Sequence, residues 1–164
     1  MVADAPERLA GLALLSVNPL ADRPENAATR RAAVRNASEQ GHGKWLSSTL
    51  WHQYVAPPSL DNQELHDVLC LMAQETDSAV FARQTEIAIG RRDNRAALSA
   101  LLCPVLIMNG EHDPVCTPAH HQLAAASAAH ATWITLSSTG HFFILESAEN
   151  AAVPLRKWIT ESLN

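Results

Sequence analysis

Val105-Leu106-Ile107-Met108 is an unbroken apolar run, introduced by Cys103-Pro104 and closed by Asn109-Gly110-Glu111-His112-Asp113-Pro114. A short run without helical period, held between a proline and a glycine turn, suits a strand buried on both faces. Such strands belong in parallel sheets covered by helices, so the chain is predicted to be α/β. Gly110 ends the strand and Asp113 follows at once. That puts an acid at the carboxyl edge of the sheet, where open α/β folds place their sites.

A second run of the same kind, Leu9 to Val17, is ended by Asn18-Pro19 and reads as another parallel strand buried on both faces. From Asp22 to about Ala100 the pattern is helical, with breakers between segments. Pro24 to Gln40 stops at Gly41, and Lys44 to Val55 stops at Pro57-Pro58. Asp61 to Gln74 and then Asp77 to Ile89 follow, the last stopped by Gly90. Asp61 with Glu64 has capping-box spacing, and Leu65, Val68, Leu69 and Met72 form an apolar stripe predicted to pack inward. Trp45, Leu50, Trp51 and Tyr54 are read as interior packing of the same region.

After Leu102 strands and helices alternate again. A strand over Val105 to Asn109 leads to a helix from Pro118 with Thr117 as its N-cap, then a strand over Thr132 to Leu136. The last helix spans Ala148 to Leu163. An interior proline costs about 3 kcal/mol, so its regular part is predicted to begin only at Pro154.

Thr139-Gly140-His141-Phe142 brings a histidine to the same sheet edge as Asp113, one crossover helix and one strand later. A carboxylate accepting from Nδ1–H of His141 would fix the tautomer and stabilise the imidazolium formed when Nε2 takes a proton. Acid and base are two members of a nucleophile–His–Asp set, and the third is missing. No two of the six glycines are four apart, so no G-x-S-x-G elbow exists in the sequence. Ala125-Ala126-Ser127-Ala128-Ala129 has small flanks but falls inside a helix, between acid and histidine, and Cys116 lies between two prolines. Neither is assigned as the nucleophile.

His112, Cys116, His120 and His121 are close in sequence, but Pro114 and Pro118 keep them off one helix face and no H-E-x-x-H or paired-cysteine spacing is present. No metal and no cofactor is predicted. Seventeen acidic against twelve basic residues, net −5, with basic residues clustered only as Arg30-Arg31 and Arg91-Arg92, exclude a nucleic-acid partner. The longest apolar run, Leu98 to Met108, is broken by Ser99 and Pro104, so no membrane span is expected. The opening is acidic where a signal peptide is basic, and Cys70, Cys103 and Cys116 are odd in number and lack C-x-x-C spacing. A cytoplasmic protein is predicted.

These stretches resemble the α/β-hydrolase family. Pro6-Glu7-Arg8 through Leu15 is similar to the family's passage from the nucleophile helix into the sixth strand. Cys103-Pro104-Val105-Leu106-Ile107 with Gly110-Glu111-His112-Asp113-Pro114 resembles the seventh strand and its acid turn. Gly140-His141-Phe142 with Leu145-Glu146 resembles the histidine loop, and Trp158-Ile159 the closing helix. Arg83-Gln84 and Ile89-Gly90-Arg91-Arg92-Asp93 are similar to the return from a helical cap. Ala148 stands where a proline is common in the family.

The resemblance implies the carboxyl-terminal part of an α/β-hydrolase: three parallel strands, flanking helices and a helical cap insertion. Residues 1–21 would be a core strand segment, 22–100 the cap, and 101–164 the carboxyl-terminal core, together one incomplete domain. It further implies hydrolysis of a small carboxylic ester or thioester, with Asp113 and His141 catalytic, the cap selecting the acyl group, and the nucleophile on a missing amino-terminal half. The Leu9 to Val17 strand would then leave an apolar edge for that half or for self-association. The isolated chain would be inactive. An aspartate nucleophile would instead imply a dehalogenase, other elbows carbon–carbon bond hydrolysis or perhydrolysis. A noncatalytic remnant or interaction module remains the reading outside enzymes.

Overall fold

The computed structural model describes residues 4–162. In chain order it holds β1 (Leu12–Leu15), α1 (Asn26–Gln40), α2 (His42–Trp45), a π-helical stretch (Leu46–Leu50), α3 (Trp51–Tyr54), α4 (Gln63–Gln74), α5 (Ser78–Ile89), α6 (Arg95–Ser99), β2 (Val105–Gly110), α7 (Pro118–Ser127), β3 (Ala131–Leu136), α8 (Phe143–Glu146) and α9 (Ala148–Ser162). These divide into a sheet unit of residues 1–19, 54–59 and 93–164, and a helical unit of 20–53 and 60–92.

The sheet unit is built on β2. All six of its residues are buried, and it pairs in parallel with β1 and β3 in the order β1-β2-β3. Successive strand side chains point to opposite faces, so the apolar run is shared between two layers. Val105 and Ile107 pack with Leu98, Leu101, Ala124 and Ala128 from α6, α7 and their flanks. Leu106 and Met108 pack with Leu136, Phe143, Ala151 and Trp158 on the other face. Crossovers on both faces are what allow an unalternated apolar strand to stay dry.

β1 departs from expectation. Only Leu12–Leu15 is strand, and Ala13 is exposed while its neighbours are half-buried. Its register, Leu12 beside Val105 to Leu15 beside Met108, uses one side only, so among the described residues β1 is an edge strand with fewer neighbours than a central one.

α9 also departs: it is continuous from Ala148 to Ser162 with Pro154 inside. Ala151 and Trp158 are buried and Leu155 packs partly against the same layer. That stripe, at helical spacing across the proline, offsets the lost N–H bond. Leu163, the predicted end, lies outside the described residues.

In the helical unit α4 is capped by Asn62, whose side chain accepts from Leu65 N–H, and not by Asp61. Leu65 and Leu69 are buried but Val68 and Met72 are about half exposed, so the stripe is narrower than its spacing suggests. Asp77 caps α5, accepting from Ala79 and Val80 N–H. Trp45 and Trp51 are buried, and Arg31 of α1 forms a two-pronged ion pair with Glu86 of α5. No helix among the described residues is long and apolar enough to cross a membrane. The cysteines are free thiols.

Candidate active site

The turns after β2 and β3 are locked to each other by backbone. Glu111 N–H donates to Leu136 O and His112 N–H to Thr139 O, each at 2.9 Å. Ser138, at φ 59, donates its N–H to the Glu111 carboxylate. Gly110 is required at this crossing: a Cβ there would overlap Gly140 O and lie 2.5 Å from Thr139 O. The two loops therefore approach as closely as bare backbone permits.

This lock brings Asp113 and His141 together. Asp113 Oδ2 lies 2.9 Å from His141 Nδ1, with the Asp113 side chain 0% and the His141 side chain 20% exposed. Oδ1 accepts the N–H groups of Val115 and Cys116 at 2.9 and 2.8 Å. Burial raises the carboxyl's pKa, but the bond to His141 and the two backbone donors outweigh it and hold Asp113 below the usual carboxylate range. An ionised acceptor on Nδ1 places the proton there and leaves Nε2 free as a base.

The rest of the setting lay outside the sequence reading. Tyr54, read as interior packing of the helical region, clusters with the sheet unit, and its ring meets the His141 imidazole edge-on with centroids 5.2 Å apart. Its carbonyl accepts His141 N–H at 2.7 Å. Ser16, at the carboxyl end of β1, has φ 48 and a buried hydroxyl without a hydrogen-bond partner. No periodicity signals either arrangement. A chain separation of 87 residues hides the first, and a left-handed serine has no local marker.

The histidines grouped in the sequence do not converge. His121 is fully buried; Val17 N–H donates to its Nε2, so Nδ1–H donates to Thr117 O. Burial depresses its pKa, which keeps it neutral. His120 Nδ1 accepts from Thr117 N–H, and His112 is half exposed. The three-donor group among the described residues is Asp113, Cys116 and His141, with ligand atoms within 4.8 Å of one another. Two of its members, Asp113 and His141, are engaged with each other at 2.9 Å.

The helical unit carries a second series: Ser47 Oγ is 2.9 Å from His66 Nε2, and His66 Nδ1 is 3.2 Å from Asp67 Oδ1, beside a cavity of about 330 Å³. Asp67 is 68% exposed and shared with Gln63, so solvent screens it. Ser47 lies within the helical stretch Leu46–Leu50 and not on the sharp strand-to-helix turn that exposes a nucleophile. This series lacks the features of a nucleophile site.

A three-stranded parallel sheet between helical layers, with an acid turn and a histidine turn joined at its carboxyl edge, defines an α/β-hydrolase-type fold. An esterase from Thermogutta terrifontis matches it with a TM-score of 0.90 at 21% identity, over 98% of this chain and 59% of that one. An enol-lactonase from Burkholderia xenovorans matches at 0.81 and 21%, over 98% and 60%. An alpha/beta hydrolase enzyme from a deep-sea metagenome library matches at 0.80 and 16%, over 98% and 59%. The chain spans about three fifths of the length of these proteins, in accord with the carboxyl-terminal half of the fold. No family model and no curated protein sequence matches it.

Proposed function

We propose that Asp113 and His141 are the orienting acid and the general base of a hydrolase acting on small carboxylic esters or thioesters, with the nucleophile supplied from outside this sequence. The observation that carries the reading is the 2.9 Å contact between a fully buried carboxylate and a partly exposed imidazole at the carboxyl edge of a parallel sheet. Two structural neighbours named an esterase and an enol-lactonase favour an ester substrate.

In this mechanism Nε2 of His141 takes the nucleophile's proton as the nucleophile attacks the carbonyl carbon. Asp113 stays ionised and stabilises the imidazolium. Collapse of the tetrahedral intermediate breaks the bond to the alkoxide or thiolate, which leaves with the proton from Nε2. Water then gives a proton to Nε2 as it attacks the acyl-enzyme; the acid departs, and the nucleophile recovers its proton.

Without nucleophile or oxyanion hole, base and acid have little to act on. The purified chain is therefore expected to hydrolyse p-nitrophenyl butyrate no faster than its His141→Ala variant. The gene upstream of the Met1 codon, read in frame, is expected to encode a strand followed by G-x-S-x-G. The longer polypeptide should then turn over the ester; Asp113→Asn should lower kcat by roughly 10⁴-fold and His141→Ala by roughly 10⁶-fold. Turnover by the 164-residue chain that vanishes in His141→Ala would overturn the need for an outside nucleophile. An active longer polypeptide indifferent to His141→Ala would overturn the assignment of the base. A stop codon immediately upstream, with no turnover in any preparation, would favour the noncatalytic reading.

A further inference from the structure

The loop that carries His141 is held by a carboxylate with no part in the proton relay. Glu146, at the end of α8, accepts Gly140 N–H on Oε1, and both Ala56 N–H and the Ser59 hydroxyl on Oε2, each at 2.9 Å. Three neutral donors from two chain segments thus converge on one anion, an arrangement of charge-assisted bonds stronger and shorter than neutral ones.

Both segments act on the histidine. Gly140 immediately precedes His141, while the 54–59 segment supplies the Tyr54 carbonyl that accepts His141 N–H and the ring that meets the imidazole. The two backbones are pressed together: a Cβ on Gly140 would lie 2.7 Å from both Ala56 N and Tyr54 O. Glu146 bridges this contact from the side, bonding to a backbone N–H of each segment.

The geometry points to Glu146 as a positioning residue for His141, clamping the 54–59 segment to the histidine loop so that Nδ1 stays aimed at Asp113. This rests on the reading of Asp113 and His141 as acid and base. Its consequence is specific: without the clamp the loop can rotate, the Asp113 bond lengthens, and the imidazole is no longer held in the Nδ1–H form. A residue that only stabilised the fold would lower the melting temperature and leave the tautomer of the folded protein unchanged.

The experiment is long-range ¹H–¹⁵N correlation of the histidine rings in the 164-residue chain, below its unfolding transition. The wild type is expected to show His141 as Nδ1–H. Glu146→Ala and Glu146→Asp, the latter one methylene too short to span both segments, should shift it to an exchanging mixture with Nε2–H. Glu146→Gln, which keeps an oxygen for Gly140 N–H, should restore much of the Nδ1–H signal, and Ser59→Ala should retain it. Leu98→Ala, in the core on one face of the sheet, should lower the melting temperature without changing the tautomer. If Glu146→Ala and Glu146→Asp fold and stay wholly Nδ1–H, or if Leu98→Ala gives the same mixture, the positioning role is refuted. If the wild type itself lacks the Nδ1–H form, the acid–base reading falls and this inference with it.

Discussion

Replacing Gly110 with alanine tests the closeness of the two loops directly. The new methyl carbon would overlap Gly140 O and sit 2.5 Å from Thr139 O and 2.7 Å from Thr139 C, whereas such carbons are not found nearer than 3.0 Å. The histidine loop must draw back by at least about 0.5 Å, more at Gly140, because β2 is buried along its whole length and has little room to yield. Carried to the side chain, that displacement stretches the Asp113–His141 bond from 2.9 Å to about 3.4 Å or beyond, where little of a hydrogen bond remains. Overpacking of this kind costs about 1–3 kcal/mol. For a chain of this size each kcal/mol is worth about 2–4 °C, so melting followed by circular dichroism should fall by about 2–12 °C. The His141 ring should lose its single Nδ1–H state in the same variant. In a longer polypeptide with a nucleophile, a shift approaching 1 Å would cost roughly 10²-fold in kcat. A Gly110→Ala protein with unchanged melting and unchanged tautomer would refute the argument. A lower melting temperature with the tautomer intact would show that β2 yields instead of the loop.

Other expectations follow from single sites. Asp22 has a pKa of about 2, held down first by its bond to Arg30, against burial, with help from Asn26 and Arg91. Its stabilisation is therefore full above the unfolded value of 3.8 and lost as pH falls through 2, so Asp22→Asn should flatten that acid limb in pH-dependent melting. The folded pKa of His121 is lowered by burial, so the native state binds fewer protons than the unfolded one just below 6.5. Stability should fall as pH drops below about 6.5, and His121→Gln, which can both accept from Val17 N–H and donate to Thr117 O, should remove that slope. Phe143 is 1% exposed in the layer with Leu106 and Met108, and Phe143→Ala should cost about 3–5 kcal/mol in urea unfolding.

The candidate acid and base were legible because their signals are local. An apolar run ending in glycine announces a buried strand, and an acid three residues later must stand at its carboxyl end. Thr117 before Pro118 read correctly for the same reason, since a cap acts within one turn. Asp61 misled because Asn62 next to it can cap equally well, and only the chain's entry angle decides which side chain reaches Leu65 N–H.

What the sequence determined by itself is the alternation of strand and helix, the buried central strand, the order of acid before histidine, and the absence of a G-x-S-x-G elbow. The tertiary structure alone decided that α9 runs through Pro154, that β1 is confined to Leu12–Leu15, and that Tyr54 and Glu146 hold the histidine loop. The physical reason is range. Periodicity and capping are set by neighbours within a few residues, whereas the Tyr54–His141 and Glu146–Ala56 contacts join positions about 90 residues apart. Contacts like these are fixed by where packing sends the backbone, and nothing in the local chain encodes that.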